Sequence, residues 1–244
     1  MIKSKYIEGE YNMAVQISLC VLAVLTAALF IAIRVTKGGT WGIVTKTLAS
    51  FCFVLYGALS FTQITWYTKG SVFIILGLIC GLIGDIILDL KYVYKEHNDI
   101  YLNTGMLAFG IGHIFYFIGT VLISQSVIKL WLPIVVALAV ASVLTPIIYL
   151  VSKKLMGLDY GKFAWQSMIY CFILTFMSVF TIYLACLQLE FLILAAGITM
   201  ILLSDLVLST QYFGGKVDDK FCTIVNHAVY YAGQILIATF LYLF

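Results

Sequence analysis

The chain has 244 residues, of which 63% are hydrophobic and 10% charged, and its mean hydropathy is +1.09. Soluble domains carry about 45–50% apolar and about 25% charged residues, so this composition excludes an ordinary water-soluble fold and favours lipid as the main solvent. The net charge of +3 comes without a dense basic cluster, so no nucleic-acid surface is predicted.

Eight apolar runs follow one another along the chain, each about 20 residues long, which is the length a helix needs to cross ~30 Å of hydrocarbon. Membrane strands would be shorter and would alternate with a period of two, which these runs do not. Two prolines and the absence of a Ser- or Gly-rich linker indicate one domain over residues 1–244. We therefore predict an all-α polytopic membrane protein with about eight transmembrane helices, near 13–33, 41–61, 71–90, 102–123, 129–151, 164–186, 190–209 and 222–243.

Basic residues predict the orientation, because cytoplasmic loops of membrane proteins are enriched in Lys and Arg. With the loops numbered one to seven, four basic residues lie at the N-terminus or in even loops: Lys3, Lys5, Lys69 and Lys129. The odd loops and their helix margins hold ten, which places these loops in the cytoplasm and both termini outside: Arg34, Lys37, Lys46, Lys91, Lys95, Lys153, Lys154, Lys162, Lys216 and Lys220.

Two aspartates interrupt apolar helices, where an ionisable group costs ~2.5–3.5 kcal/mol or more and needs a reason. Asp85 lies in the third helix and Asp205 in the seventh, both running toward odd loops, so the carboxylates should share a depth of roughly 6–9 Å inside the helix ends. Asp89 follows Asp85 by four residues and shares its face with Gly77 and Gly81. That face is either a small-residue packing seam or a cavity wall, and two aspartates favour the cavity.

Three further helices contribute polar candidates. In the fourth, His113 precedes Tyr116, and its alternative role is a hydrogen bond between helices. In the seventh, Ser204 is next to Asp205. In the second, Lys46 either extends to the interface or pairs with a carboxylate.

The eighth helix carries His227, Tyr230, Tyr231 and Gln234 at spacings of three or four, which places them near one face. An aspartate followed by His-x-x-Tyr thus occurs once in each half of the chain. The pattern is compatible with two four-helix parallel repeats, and chance is the alternative.

The polar set favours acid–base chemistry, because different surroundings can keep one carboxyl protonated and another ionised. The sequence contains no G-x-S-x-G and no H-E-x-x-H motif, and we expect neither a metal nor another cofactor. A metal held by Asp85, Asp205 and His113 is the competing interpretation.

Most of the polar candidates lie in the segments GLIGDIILDL, FGIGHIFYFIG, ILLSDLVLS and YYAGQILIA, with Thr45-Lys46 at the start of helix two, and these span helices two to eight. Together the segments resemble the signature blocks of one family, the YhhN-like lysoplasmalogenases. The chain departs from the family pattern at Thr47, where Pro is usual, and at Gly81 and Gly233.

The resemblance implies hydrolysis of the vinyl ether bond of lysoplasmalogens to a fatty aldehyde and a glycerophospho-ethanolamine or -choline. It implies Asp85 and Asp205 as the catalytic pair, with the choice of acid left open, and a lysophospholipid from the bilayer as substrate. His113 would act beside them, and Lys46 would meet the phosphate, so that Lys46→Ala raises KM. The other substrate-binding candidates are Asp89, Tyr116, Ser204, Tyr230, Tyr231 and Gln234.

The main alternative is a proton-coupled transporter that uses Asp85 and Asp205 as proton-carrying sites. An intramembrane aspartyl protease is disfavoured, because no Gly-x-Gly-Asp pattern precedes Asp85 and no Pro-Ala-Leu follows Asp205. For the hydrolase, we expect lateral entry of the substrate from the cytoplasmic leaflet. The sequence leaves the oligomeric state open.

Overall fold

The computed structural model describes residues 2–63, 69–125, 128–216 and 219–243. These residues form eight long helices, each apolar enough over its length to cross a membrane, so the chain is a multi-pass integral membrane protein as predicted. The helices are α1 (Ile2–Thr36), α2 (Gly39–Gln63), α3 (Lys69–Asp89), α4 (Asn98–Ser124), α5 (Trp131–Leu155), α6 (Ala164–Leu187), α7 (Leu192–Phe213) and α8 (Lys220–Leu243).

Most helix limits agree with the predicted runs, and two differences affect the argument. Helix α1 begins at Ile2, although its membrane-spanning part starts at Met13, as predicted. Helix α7 continues to Phe213, past the predicted end at 209. Asp205 therefore lies about 12 Å from the end of its helix by the rise per residue, deeper than predicted.

Six of the helices form a closed ring in the order α2, α3, α4, α6, α7 and α8, with α3 also touching α8. Helix α1 packs outside on α2 and α8, and α5 packs outside on α6. The pairs α1–α2, α2–α3 and α3–α4 correspond to α5–α6, α6–α7 and α7–α8. In each half, consecutive helices therefore pack on one another.

Glycines hold the closest helix pairs together, because they allow two backbones to approach. A Cβ at Gly119 of α4 would lie 2.7 Å from the carbonyl oxygen of Gly70 in α3. A Cβ at Gly197 of α7 would lie 2.8 Å from the carbonyl oxygen of Gly233 in α8. These two seams fix the helices that carry the aspartates.

We expect Gly119→Ala to lower the free energy of unfolding by about 1–3 kcal/mol, since the added methyl group meets backbone that cannot turn away. Gly110 on the same helix is the matched control, because its Cβ would meet only a side-chain atom of Ile173, at 3.9 Å. Thermal unfolding in detergent should show lower stability for Gly119→Ala and no loss of stability for Gly110→Ala. Equal stability of the two variants would contradict this account of the seam.

Candidate active site

A polar cavity lies between α2, α3, α7 and α8, at the end of the molecule that bears the odd loops. Six of the ten predicted site residues line it: Lys46, Asp85, Asp89, Ser204, Asp205 and Tyr230. The predicted aspartate pair thus borders one space, although 120 positions separate the two residues in the chain.

Asp85 is buried and surrounded by donors from two other helices. Lys46 Nζ lies 3.2 Å from its Oδ1. The Ser50 hydroxyl donates to its Oδ2 at 2.6 Å, and the Tyr230 hydroxyl donates to the same oxygen at 2.8 Å. One cation and two hydroxyl donors stabilise the ionised carboxylate.

Asp89 lies one turn after Asp85 and completes a buried ion-pair network. Lys46 Nζ is 3.1 Å from Asp89 Oδ1, and Arg34 Nη2 of α1 donates to Asp89 Oδ2. Two cations thus face two carboxylates, all less than 9% exposed. Lys46 pairs with the carboxylates, which decides between the two interpretations of its position: it does not extend to the interface.

Asp205 has different surroundings. It is half-buried and accepts a hydrogen bond from the Tyr170 hydroxyl of α6. No Lys, Arg or His nitrogen forms an ion pair with Asp205 among the residues described. The two aspartates therefore differ in their partners: Asp85 has a cation and two hydroxyl donors, whereas Asp205 has a single neutral donor in the described residues.

Asp205 also lines a second, apolar cavity enclosed by α3 to α7. The two cavities share Leu88, Phe109, Leu208 and Tyr212 in addition to Asp205. The space amounts to about 460 Å³ in the polar cavity and about 770 Å³ in the apolar one, each including the part open to the surroundings. Asp205 thus lies at the junction of a polar and an apolar space.

Three predicted residues lie behind Asp85 instead of in the cavity wall. The Tyr116 hydroxyl donates to Gln234 Oε1 at 2.9 Å, and Gln234 Nε2 donates to the Tyr230 hydroxyl at 3.1 Å. Since Tyr230 donates to Asp85, this chain of bonds orients the carboxylate from behind. Tyr231 is in hydrogen-bond contact with Ser50 at 3.0 Å, on another side of Asp85.

His113 is not among the residues that line the cavity. Its Nδ1 lies 3.0 Å from the carbonyl oxygen of Phe109 on its own helix, and its Nε2 is buried without a hydrogen-bond partner in the described residues. We find no contact between His113 and either aspartate. No three His, Cys, Asp or Glu side chains in the described ranges come together as metal ligands, and this includes the proposed set of Asp85, Asp205 and His113.

The family model of the YhhN family matches residues 41–241. The chain belongs to the YhhN family. The search of curated proteins and the search of solved structures gave no match. The matched segment covers α2 to α8, so it contains both aspartates, Lys46 and Tyr230.

Several residues of this YhhN site were not predicted as site residues, and four of them matter for its charges and hydrogen bonds: Arg34, Ser50, Tyr170 and Lys91. Arg34 precedes the segment matched by the family model. Because it lies at a helix end, it was counted only among the basic residues that predict the membrane orientation. Ser50 and Tyr170 are ordinary residues of membrane helices, and only the packing of α2 on α3 and of α6 on α7 gives them carboxylate partners. A basic residue close to an apolar span was the one signal that could have identified Arg34 and Lys91.

Proposed function

We propose that this YhhN protein is a lysoplasmalogenase-like hydrolase that cleaves the vinyl ether bond of lysoplasmalogens. One observation carries the proposal: an ion-paired aspartate and an aspartate without a cation partner in the described residues border one membrane cavity. Family membership supports this class of function, and the surroundings of the two carboxyl groups support the reaction.

In this proposal Asp205 is the acid, because its hydrogen-bond partner is neutral and an apolar wall favours the uncharged form. Asp85 is the ionised carboxylate, because Lys46 and two hydroxyls stabilise its charge. The Asp205 proton goes to the β-carbon of the vinyl ether, and the α-carbon becomes an oxocarbenium ion that Asp85 stabilises.

Water then attacks the α-carbon and gives a proton to Asp85. The product of this addition is a hemiacetal. Asp205 takes the hydroxyl proton of the hemiacetal, and Asp85 returns its proton to the ether oxygen as the carbon–oxygen bond breaks. The products are a fatty aldehyde and a glycerol hydroxyl, and both carboxyl groups regain their starting states. One water is consumed and no oxidant is needed.

The two cavities suit the two ends of such a substrate. The apolar cavity has side chains of Leu102, Met106, Leu174 and Leu202 in its wall and would hold the alkenyl chain. The polar cavity would hold the glycerol and the head group. The vinyl ether joins these two parts of the lipid, and Asp205 lies where the two cavities meet.

A groove on the outer surface offers a path for the chain. It runs between the first halves of α4 and α6, along Leu107, Ile111 and Ile169, which are at least 40% exposed. Met106 and Tyr170 border both this groove and the apolar cavity, so they form the wall between them. Entry here would come from the leaflet on the odd-loop side, which we expect to be cytoplasmic.

Gly110→Phe should therefore raise KM for long-chain substrate about tenfold, because a ring at Gly110 would fill the groove toward Ile173. Gly110 is the one position of this groove without a side chain. Ile147→Phe on the lipid-exposed side of α5 is the matched control and should leave KM unchanged. Unchanged kinetics of Gly110→Phe would move the entry path elsewhere.

The function itself is tested with purified protein incubated with a lysoplasmalogen. We expect release of fatty aldehyde, and none from the matched acyl lysophospholipid. Proton-coupled uptake by proteoliposomes with no aldehyde formed would instead favour the transporter, for which Asp85 and Asp205 would carry protons.

A further inference from the structure

Lys91 borders the polar cavity at its odd-loop end and has no part in the proposed chemistry. It lies in the 3₁₀ turn Leu90–Tyr92 that directly follows α3. Its Nζ lies 3.7 Å from the centre of the Tyr212 ring and 5.0 Å from that of Tyr92. Two aromatic rings thus hold this ammonium group at the cavity by cation–π contacts.

Lys91 differs from the other two cations of the site in its partners. Arg34 and Lys46 form ion pairs with Asp85 and Asp89. Lys91 forms no ion pair within the part of the chain that the structure describes. Of these three basic side chains, Lys91 is therefore the one without a carboxylate partner in the described residues.

An anionic ligand would give Lys91 the partner that it lacks, and a phosphodiester supplies a single negative charge. Lys is a common phosphate ligand in proteins, where it acts as a flexible point charge. An ammonium group has three donors, so Lys91 keeps capacity for oxygen acceptors beside its contacts with the rings of Tyr92 and Tyr212.

The position of Lys91 along the membrane normal suits a phosphate as well. Asp85 and Lys91 are six residues apart, which is about 9 Å along a helix. The vinyl ether and the phosphate of a lysoplasmalogen are separated by the glycerol backbone. A lipid with its vinyl ether beside the aspartates would thus extend its phosphate toward Lys91, nearer the membrane surface.

We propose that Lys91, held by Tyr92 and Tyr212, is the phosphate subsite for the head group of a single-chain phospholipid. This inference rests on the proposed function and moves the phosphate contact from Lys46, which is occupied by Asp85 and Asp89, to Lys91. The ligand is the phosphodiester of the lipid, with its chain in the apolar cavity.

Binding of lipids that cannot be hydrolysed tests the subsite apart from the reaction. The probes are 1-O-alkyl-glycerophosphoethanolamine, a saturated ether, and 1-O-alkylglycerol, which has no phosphate. For the full-length protein in detergent, Lys91→Gln should raise the Kd of the phospholipid about 10- to 100-fold, the range for loss of a charge-assisted hydrogen bond. The Kd of the alkylglycerol should stay within about twofold, which also shows that the cavity is intact.

Two variants serve as controls. Lys91→Arg keeps the charge and should keep most of the phospholipid affinity. Lys162→Gln removes an exposed lysine, paired with Asp99 at the same end of the molecule, and should change neither Kd.

If Lys91→Gln raised the Kd of both lipids equally, or changed neither Kd, the proposed subsite would be overturned. Competition by millimolar inorganic phosphate that is lost in Lys91→Gln, with lipid Kd values unchanged, would assign the subsite to a free anion and also overturn the proposal. Aldehyde release measured separately tests the reaction, so a failure of the reaction and a failure of the subsite give different results.

Discussion

Asp85→Asn and Asp205→Asn should each lower aldehyde release by about 10²–10⁴-fold, the usual cost of removing a general acid or base. Asn keeps the size of the side chain but can neither deliver nor accept the proton. The two groups act in one proton cycle, so the double variant should be hardly worse than the more impaired single variant.

The measurement is aldehyde release per mole of folded protein, with folding verified by gel filtration and thermal unfolding in detergent. Asp99→Asn is the matched control, because Asp99 is an exposed carboxylate at the same end of the molecule, paired with Lys162. It should retain wild-type turnover. Near wild-type turnover in either cavity variant would remove that aspartate from the mechanism.

The sequence predicted the parts of the fold that depend on solvent and spacing. Long apolar runs gave the eight helices because helix length must match the bilayer. Counting residues placed Asp85 and Asp205 toward the odd-loop ends of their helices, and both line the polar cavity at that end. The count gave Asp205 too shallow a depth, because α7 continues to Phe213.

The partners of these groups could not be predicted, since they depend on which helices become neighbours. Arg34 reaches Asp89 across 55 positions and Tyr170 reaches Asp205 across 35. Nothing local distinguishes Tyr170 from the other tyrosines of the chain, because its hydroxyl acquires a function only where α6 meets α7.

The repeated His-x-x-Tyr pattern did not predict that His113 would lie outside the cavity wall, for the same reason. Its counterpart His227 lines the polar cavity, as does Tyr230, because α8 packs against both α2 and α3. Helix α4 instead packs on α3 and α6, so Tyr116 reaches Asp85 only through Gln234 and Tyr230. Two residues at the same place in a repeated sequence pattern can therefore have different partners.

Lys46→Met should cost about 3–5 kcal/mol of folding stability, which is the range for removing one partner of a buried ion pair. Asp85 and Asp89 would lose the cation between them, and both are buried. The sequence alone had suggested a different result, a higher KM for Lys46→Ala, because it placed Lys46 at the substrate phosphate. The ion pairs make stability the first property to change.

A second substitution distinguishes charge balance from loss of packing. Lys46→Met combined with Asp89→Asn leaves Arg34 and Asp85 as one cation and one anion, so the double variant should regain part of the lost stability.

Lys162→Met is the control, because its ion pair with Asp99 is exposed and should contribute at most about 1 kcal/mol. Thermal unfolding in detergent measures all three variants. A Lys46→Met protein with wild-type stability and a raised KM would return Lys46 to the substrate phosphate, because only a lysine without structural partners can be removed at no cost in folding.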